Sequence, residues 1–253
     1  MKARFSKLTL VTVALLTLTA CSQSQSTSSK SSAKEETKQT QTKSSKETSK
    51  ETGKEESSKA GKSDVKVDSG VSYNGSYYSV KGKYGEVMIA NKHYPLSPDF
   101  NPGEDPEAVS ALHELIAAMQ AEGYPISDQY SGFRSYDTQV GLYQNYVNQD
   151  GQEAADRYSA RPGYSEHQTG LTFDLIDTSG NLVTEPGPSK WLLKNAAKYG
   201  FVVRYQEGKE KVTGYMPESW HLRYIGKEAQ DIADSGLSLE EYYGFTGGDY
   251  VDK

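Results

Sequence analysis

The chain has 253 residues, of which 28 are basic and 34 acidic, for a formal net charge of −6, a balance that argues against nucleic acid as a partner. Length alone admits one or two domains. Cys21 is the only cysteine, so no internal disulfide can form and stability must come from the core or from a bound ion.

Residues Met1 to Ala20 open with Lys2, Arg4 and Lys7 and continue as an apolar run from Leu8 to Leu18. That run is short for a bilayer span and ends in small residues, which reads as an export signal over residues 1–20. Leu18-Thr19-Ala20-Cys21 resembles the bacterial lipoprotein signal, in which the cysteine is acylated and becomes the mature N-terminus. Cys21 is therefore the expected lipidation site. One acyl chain holds a protein at a membrane only marginally, and the diacylglyceryl group that the resemblance implies would hold it well. The expected location is the extracytoplasmic face of the cell membrane, facing the cell wall.

Residues 21–70 are almost entirely Ser, Thr, Lys, Glu, Gln and Gly, with Ala33, Ala60, Val65 and Val67 as the only apolar side chains after Cys21. Such a stretch buries too little surface to offset its ordering entropy. It is expected as a solvated tether spanning roughly 40 Å.

The composition changes at Val71, and residues 71–253 suit a single domain. Tyr77 to Val80 and Glu86 to Ala90, either side of Gly82 and Gly85, suggest a hairpin. Asp105-Pro106-Glu107 reads as a helix start, with Val109, Leu112, Ile116 and Met119 at helical spacing and Gly123 as the stop. Ser135 is expected to cap a second helix with Val140, Tyr143 and Val147 on one face. A third helix is expected from Ser189 to Tyr199, ended by Gly200. Leu171 to Ile176, Phe201 to Tyr205 and Trp220 to Ile225 read as strands, and short helices around 227–234 and 238–243 close the chain. There is no regular βαβ rhythm, so the fold class is α+β with a small antiparallel sheet flanked by helices.

The chemistry concentrates in Ser165-Glu166-His167-Gln168-Thr169-Gly170-Leu171-Thr172-Phe173-Asp174. Alternation puts Leu171, Phe173 and Leu175 on one side of a strand and Thr172, Asp174 and Ile176 on the other. A mid-strand carboxylate between Phe173 and Leu175 needs a cation beside it, because a buried unpaired charge costs several kcal/mol. Lys, Arg or a metal would serve. His167, with Gly170 to turn the chain, and His221, three residues after Glu218, offer two imidazoles. With Asp174 they make a three-ligand set that leaves a zinc position open for water, and Glu218 is the nearby base. Spacing alone leaves other readings open. His167 is compatible with a hydrogen-bonded loop histidine, Asp174 with a salt-bridge partner, and Glu218 with a local pair to His221. On a regular strand, residues three apart face opposite ways, so a turn or bulge before Trp220 is required. His93 and His113 have no ligand-like surroundings, and Tyr205, Tyr215 and Trp220 are candidate cleft walls.

Ser131-Gly132-Phe133-Arg134-Ser135, Gln139, Gly163 to Gly170, Asp174, Gly200-Phe201 and Trp220-His221 together resemble the VanY-type carboxypeptidases. The resemblance implies the compact zinc fold shared by D-Ala-D-Ala peptidases and the hedgehog signalling domain. It also implies Zn2+ on His167, Asp174 and His221, and Glu218 as catalytic base. Arg134 would face the scissile amide, stabilising the oxyanion or gripping the substrate carboxylate. Gln139 and Ser165 match positions that line the substrate pocket. Many relatives carry proline where this chain has Ser219, which leaves the turn from Glu218 to His221 less rigid.

The function so implied is a peptidoglycan L,D-carboxypeptidase that removes the terminal D-Ala of stem tetrapeptides. A D,D-carboxypeptidase acting on pentapeptides, a cross-link endopeptidase and a non-catalytic lipid-anchored zinc module are the alternatives. Expected partners are the stem peptides and, through Cys21, the membrane, with the chain acting as a monomer.

Overall fold

The computed structural model describes residues 66–250. The expected export signal, Cys21 and most of the expected tether lie outside the described residues. The end of that tether differs from expectation. The Asp68 carboxylate accepts from the Tyr94 hydroxyl at 2.7 Å and from the Thr246 amide. Buried Tyr94 thus gives residues 66–70 a partner, and chain docked on the domain begins ahead of Val71.

Among the described residues two antiparallel sheets form where one was expected. The first contains β1 (Val71–Tyr73), β2 (Tyr78–Lys81) and β3 (Glu86–Ile89) in that order. Tyr78 pairs with Ile89 and Lys81 with Glu86, and the Gly82 amide closes the hairpin on the Gly85 carbonyl at 2.8 Å. The second sheet contains β4 (Ile126–Ser131), β5 (Thr172–Asp177), β6 (Phe201–Tyr205) and β7 (Glu218–Tyr224), in the order β4-β5-β7-β6.

One face of the second sheet is the core. Helix α1 (Pro106–Ala121) starts as expected, with Asp105 accepting from the Ala108 amide and proline in the first turn, where a missing N–H costs nothing. Leu112, Leu115, Ile116 and Met119 of α1 pack against Phe173 and Leu175 of β5, Phe201 and Val203 of β6, and Leu222 of β7. Leu192 of α4 (Pro186–Asn195) joins them. Each such side chain contributes about 1.5–3 kcal/mol by leaving water. A second cluster joins Val80, Ile89 and Tyr94 to Val202 of β6, and to Ile232 and Leu239 from the short helices α6 (Ala229–Ser235) and α7 (Leu239–Tyr243). Helix α2 (Tyr136–Asp150) and the single turns α3 (Gln152–Ala155) and α5 (Glu210–Thr213) complete the α-helices of the described residues.

Helix α2 begins at the Ser135 cap, but its buried face is not the one expected. Val140 is exposed and Gln139 is the buried residue, because a polar side chain is needed there to meet Arg134.

Gly170 fixes the approach to β5. It has φ +74°, and a Cβ there would lie 1.9 Å from the Gly103 carbonyl oxygen. The Asp105 amide donates to the Gly170 carbonyl at 3.0 Å. Only glycine allows the loop before α1 to pack this closely on the turn before β5.

Candidate metal and catalytic site

The face of the second sheet opposite the core carries the site. Ser131 of β4 pairs with Asp174 of β5, and Asp174 pairs with His221 of β7. Directly opposed residues share a face, so one row crosses three strands. The expected irregularity beside Glu218 is present, inside β7. Tyr205 pairs with Glu218 and Val203 with Leu222, so four steps on β7 oppose two on β6. This bulge lets Glu218 and His221 face one cavity. Ser219, within it, donates from Oγ to the Val183 carbonyl at 2.7 Å, so the serine supplies a tether of its own to this segment.

His167 arrives on the single turn of 3-10 helix Glu166–Thr169, which is capped by Ser165 through a hydrogen bond from the His167 amide at 3.3 Å. His167 Nδ1 lies 2.8 Å from the Gly132 carbonyl and must donate to it, leaving Nε2 free; Nε2 is 3.1 Å from Asp174 Oδ2. His221 Nδ1 is 3.3 Å from Asp174 Oδ1 and 3.4 Å from Glu218 Oε2. One ligand atom from each of His167, Asp174 and His221 lies within 4.8 Å of the others, and all three residues are buried.

This donor set fits a divalent cation. Asp174 Oδ1 is buried without a hydrogen-bond partner, an arrangement that is costly unless a cation completes it. Burial acts to raise the Asp174 carboxyl, but the two imidazoles, His167 first, outweigh it and hold it well below the usual carboxylate range. Burial acts to lower His221, yet Asp174, Glu166 and Glu218 together hold it well above the usual imidazole range. Both shifts show that positive charge is favoured among these groups, and a divalent ion would supply it.

A cavity of about 310 Å³ opens onto these groups. Its lining includes Arg134, Ser165, Glu218 and, as walls, Tyr205, Tyr215 and Trp220. The Arg134 amide donates to the His167 carbonyl at 3.2 Å, which ties its loop to the turn that carries His167. Its guanidinium donates to Gln139 Oε1 at 3.0 Å and to Ser131 Oγ at 3.2 Å, and Nη2 stands 4.0 Å from Asp174 Oδ2.

Residues 103–227 match the VanY D-alanyl-D-alanine carboxypeptidase family. The solved structure of LdcB, an LD-carboxypeptidase described with the molecular basis of peptidoglycan recognition, is 70% identical with a TM-score of 0.70. That match covers 72% of this chain and 97% of the solved LdcB chain. The chain belongs to the VanY family. A VanY D,D-pentapeptidase solved in complex with Zn(II) is 31% identical with a TM-score of 0.54, over 61% of this chain and 96% of that one. The D-alanyl-D-alanine carboxypeptidase of Enterococcus faecium is 30% identical over 184 residues, 67% of this chain. The match spans 58% of that relative's own length, less than two thirds of it.

Within this VanY fold the structure brings together His167, Asp174, His221, Glu218, Arg134 and Ser165. Gln139 corrects the expectation placed on it. It is 1% exposed and lies behind Arg134, accepting from the guanidinium and donating from Nε2 to the Ala160 carbonyl at 2.6 Å. It holds Arg134 from the back, because its amide can accept from a guanidinium and donate to a carbonyl at once.

Sequence reasoning missed the polar cluster behind the ligands. Glu166 Oε1 accepts from Arg204 Nε at 2.9 Å and from Arg223 Nη1 at 3.0 Å, and Glu166 Oε2 lies 3.3 Å from His221 Nε2. Arg204 also meets Glu240 of α7 through Nη1 at 2.8 Å and Nη2 at 2.5 Å. Burial acts to raise Glu166, but Arg204, Arg223 and His221 outweigh it and keep it ionised.

Proposed function

We propose that the protein is a zinc-dependent peptidoglycan L,D-carboxypeptidase that releases the terminal D-Ala of stem tetrapeptides, leaving tripeptides. The observation that carries the reading is the convergence of His167, Asp174 and His221 with Glu218 and Arg134 on one cavity. The 70% identity to an LD-carboxypeptidase, against 31% to a D,D-pentapeptidase, favours the L,D preference.

His167 Nε2, Asp174 and His221 Nδ1 would hold the zinc. When bound, zinc polarises a substrate carbonyl and acidifies water toward neutral pKa. Glu218 accepts a proton as water adds to the scissile carbonyl carbon, and returns it to the leaving amino group as the C–N bond breaks. Arg134 is pre-aimed by Gln139 and Ser131 and keeps a charged face toward the cavity, for the developing oxyanion or the terminal carboxylate of the substrate. Tyr205, Tyr215 and Trp220 wall off solvent and shape the pocket that reads stereochemistry.

Purified protein with zinc added is expected to convert a defined tetrapeptide stem to tripeptide plus alanine, read by mass spectrometry, and to leave a pentapeptide stem largely intact. Preferential cleavage of the pentapeptide would reverse the assignment to D,D.

The same proposal places the domain on the extracytoplasmic face of the membrane, held by lipid at Cys21. The support is the basic start, the apolar run and the Leu18-Thr19-Ala20-Cys21 ending. Cys21→Ala is expected to shift the protein out of the membrane fraction, and unchanged fractionation would overturn the anchor.

A further inference from the structure

We propose that Glu166 is a positioning residue for the metal centre, fixing the His221 ring so that Nδ1 faces the metal; this rests on the zinc reading above. An imidazole has two nitrogens, and a ring flip exchanges which of them faces a ligand. In His221 the Nδ1 edge points to Asp174 Oδ1 at 3.3 Å and Glu218 Oε2 at 3.4 Å, while the Nε2 edge meets Glu166 Oε2 at 3.3 Å. An ionised carboxylate only accepts. With a metal on Nδ1, the one ring proton that remains belongs on Nε2, where Glu166 Oε2 accepts it.

The two imidazoles are held by different means. His167 donates from Nδ1 to the Gly132 carbonyl, a backbone group that no side-chain change removes. His221 relies on a side chain, and that side chain must itself be held. Glu166 is 2% exposed, and its Oε1 is occupied by Arg204 and Arg223, which leaves Oε2 for His221. Arg223 donates from Nη2 to the Met88 carbonyl of β3, and Arg204 is clamped by Glu240 of α7. Two carboxylates and two guanidiniums balance, and the bonds from Arg204 and Arg223 to Oε1 fix the Glu166 rotamer. Its orientation is set by elements from both sheets and the last helix.

A purely structural salt bridge would change stability alone, whereas a positioning residue changes metal affinity and ligand-field geometry. In the zinc-loaded full chain, 15N NMR of the histidine rings is expected to show His221 protonated at Nε2 and metallated at Nδ1. Protonation at Nδ1 would overturn the proposal even if Glu166 variants fail to fold. Glu166→Gln is expected to bind zinc 10- to 100-fold more weakly by chelator competition and to alter the visible absorption of the cobalt-substituted protein. A folded Glu166→Gln variant with the parent's zinc affinity and cobalt spectrum would also overturn it. A parent chain that binds no zinc sinks the zinc reading and this role together, whereas zinc bound without dependence on Glu166 sinks only the role.

Discussion

Glu218→Gln is expected to lower turnover of the tetrapeptide stem by about 10²- to 10⁴-fold, the usual contribution of a positioned general acid–base group, with zinc content unchanged. Glu218 is 6% exposed and lines the cavity, with Oε2 3.4 Å from His221 Nδ1. It stands beside the His167, Asp174 and His221 cluster, where a zinc-bound water would be placed. The amide keeps the shape of the carboxylate but cannot take up a proton from water near neutrality. Loss of activity with full zinc occupancy therefore isolates proton transfer from metal binding. Alanine release at the parent rate would remove Glu218 from the mechanism, and loss of zinc together with activity would recast it as a ligand. The same variant separates an enzyme from a binding module: a module that only holds stem peptides would bind them equally well before and after the Glu218→Gln change and hydrolyse them in neither form.

The elements carrying the chemistry were legible in the sequence because each had a strong local signal. Asp105-Pro106 and Ser135 marked two helix starts, and Phe173 and Leu175 alternated around Asp174 as a strand with one buried face requires. The bulge in β7 was legible as a necessity, since Glu218 and His221 could not otherwise share a site. What escaped notice was of two kinds. Strand β4, Ile126–Ser131, is an edge strand with only Ile126 buried, so it lacks an apolar pattern and is recruited by pairing with β5. Helix α2 buries Gln139 where Val140 was expected, because its inner face meets a guanidinium. The cluster around Glu166 did leave a trace. Arg204 ends the apolar run Phe201-Val202-Val203, and Arg223 follows Leu222 in another buried strand. Charges in such strands demand buried partners, but the sequence does not say which carboxylates supply them. Glu240, 36 residues beyond Arg204, becomes its partner only through the packing of α7.

That cluster carries the largest expected stability effect. Arg204→Met is expected to cost about 3–5 kcal/mol, the usual consequence of removing one partner from a buried ion pair. Arg204 is 2% exposed, and burial, which would disfavour its charge, is outweighed by Glu240 and Glu166. Without the guanidinium, Glu166 keeps Arg223 and His221 as partners. Glu240 fares worse: it is 2% exposed and is left with the Asn91 side-chain amide at 3.1 Å. The stranded Glu240 carboxylate should therefore dominate the loss. At about 2–4 °C per kcal/mol for a domain of this size, the melting temperature would fall by roughly 6–20 °C. A second substitution tests the cause. Replacing both members, Arg204→Met with Glu240→Met, removes the uncompensated charge while keeping apolar volume, so the double variant should melt closer to the parent than Arg204→Met alone. A double variant destabilised by the sum of its single changes would mean that lost packing sets the cost. Arg204→Met melting at the parent temperature would mean that the ion network contributes nothing to holding α7 on the domain.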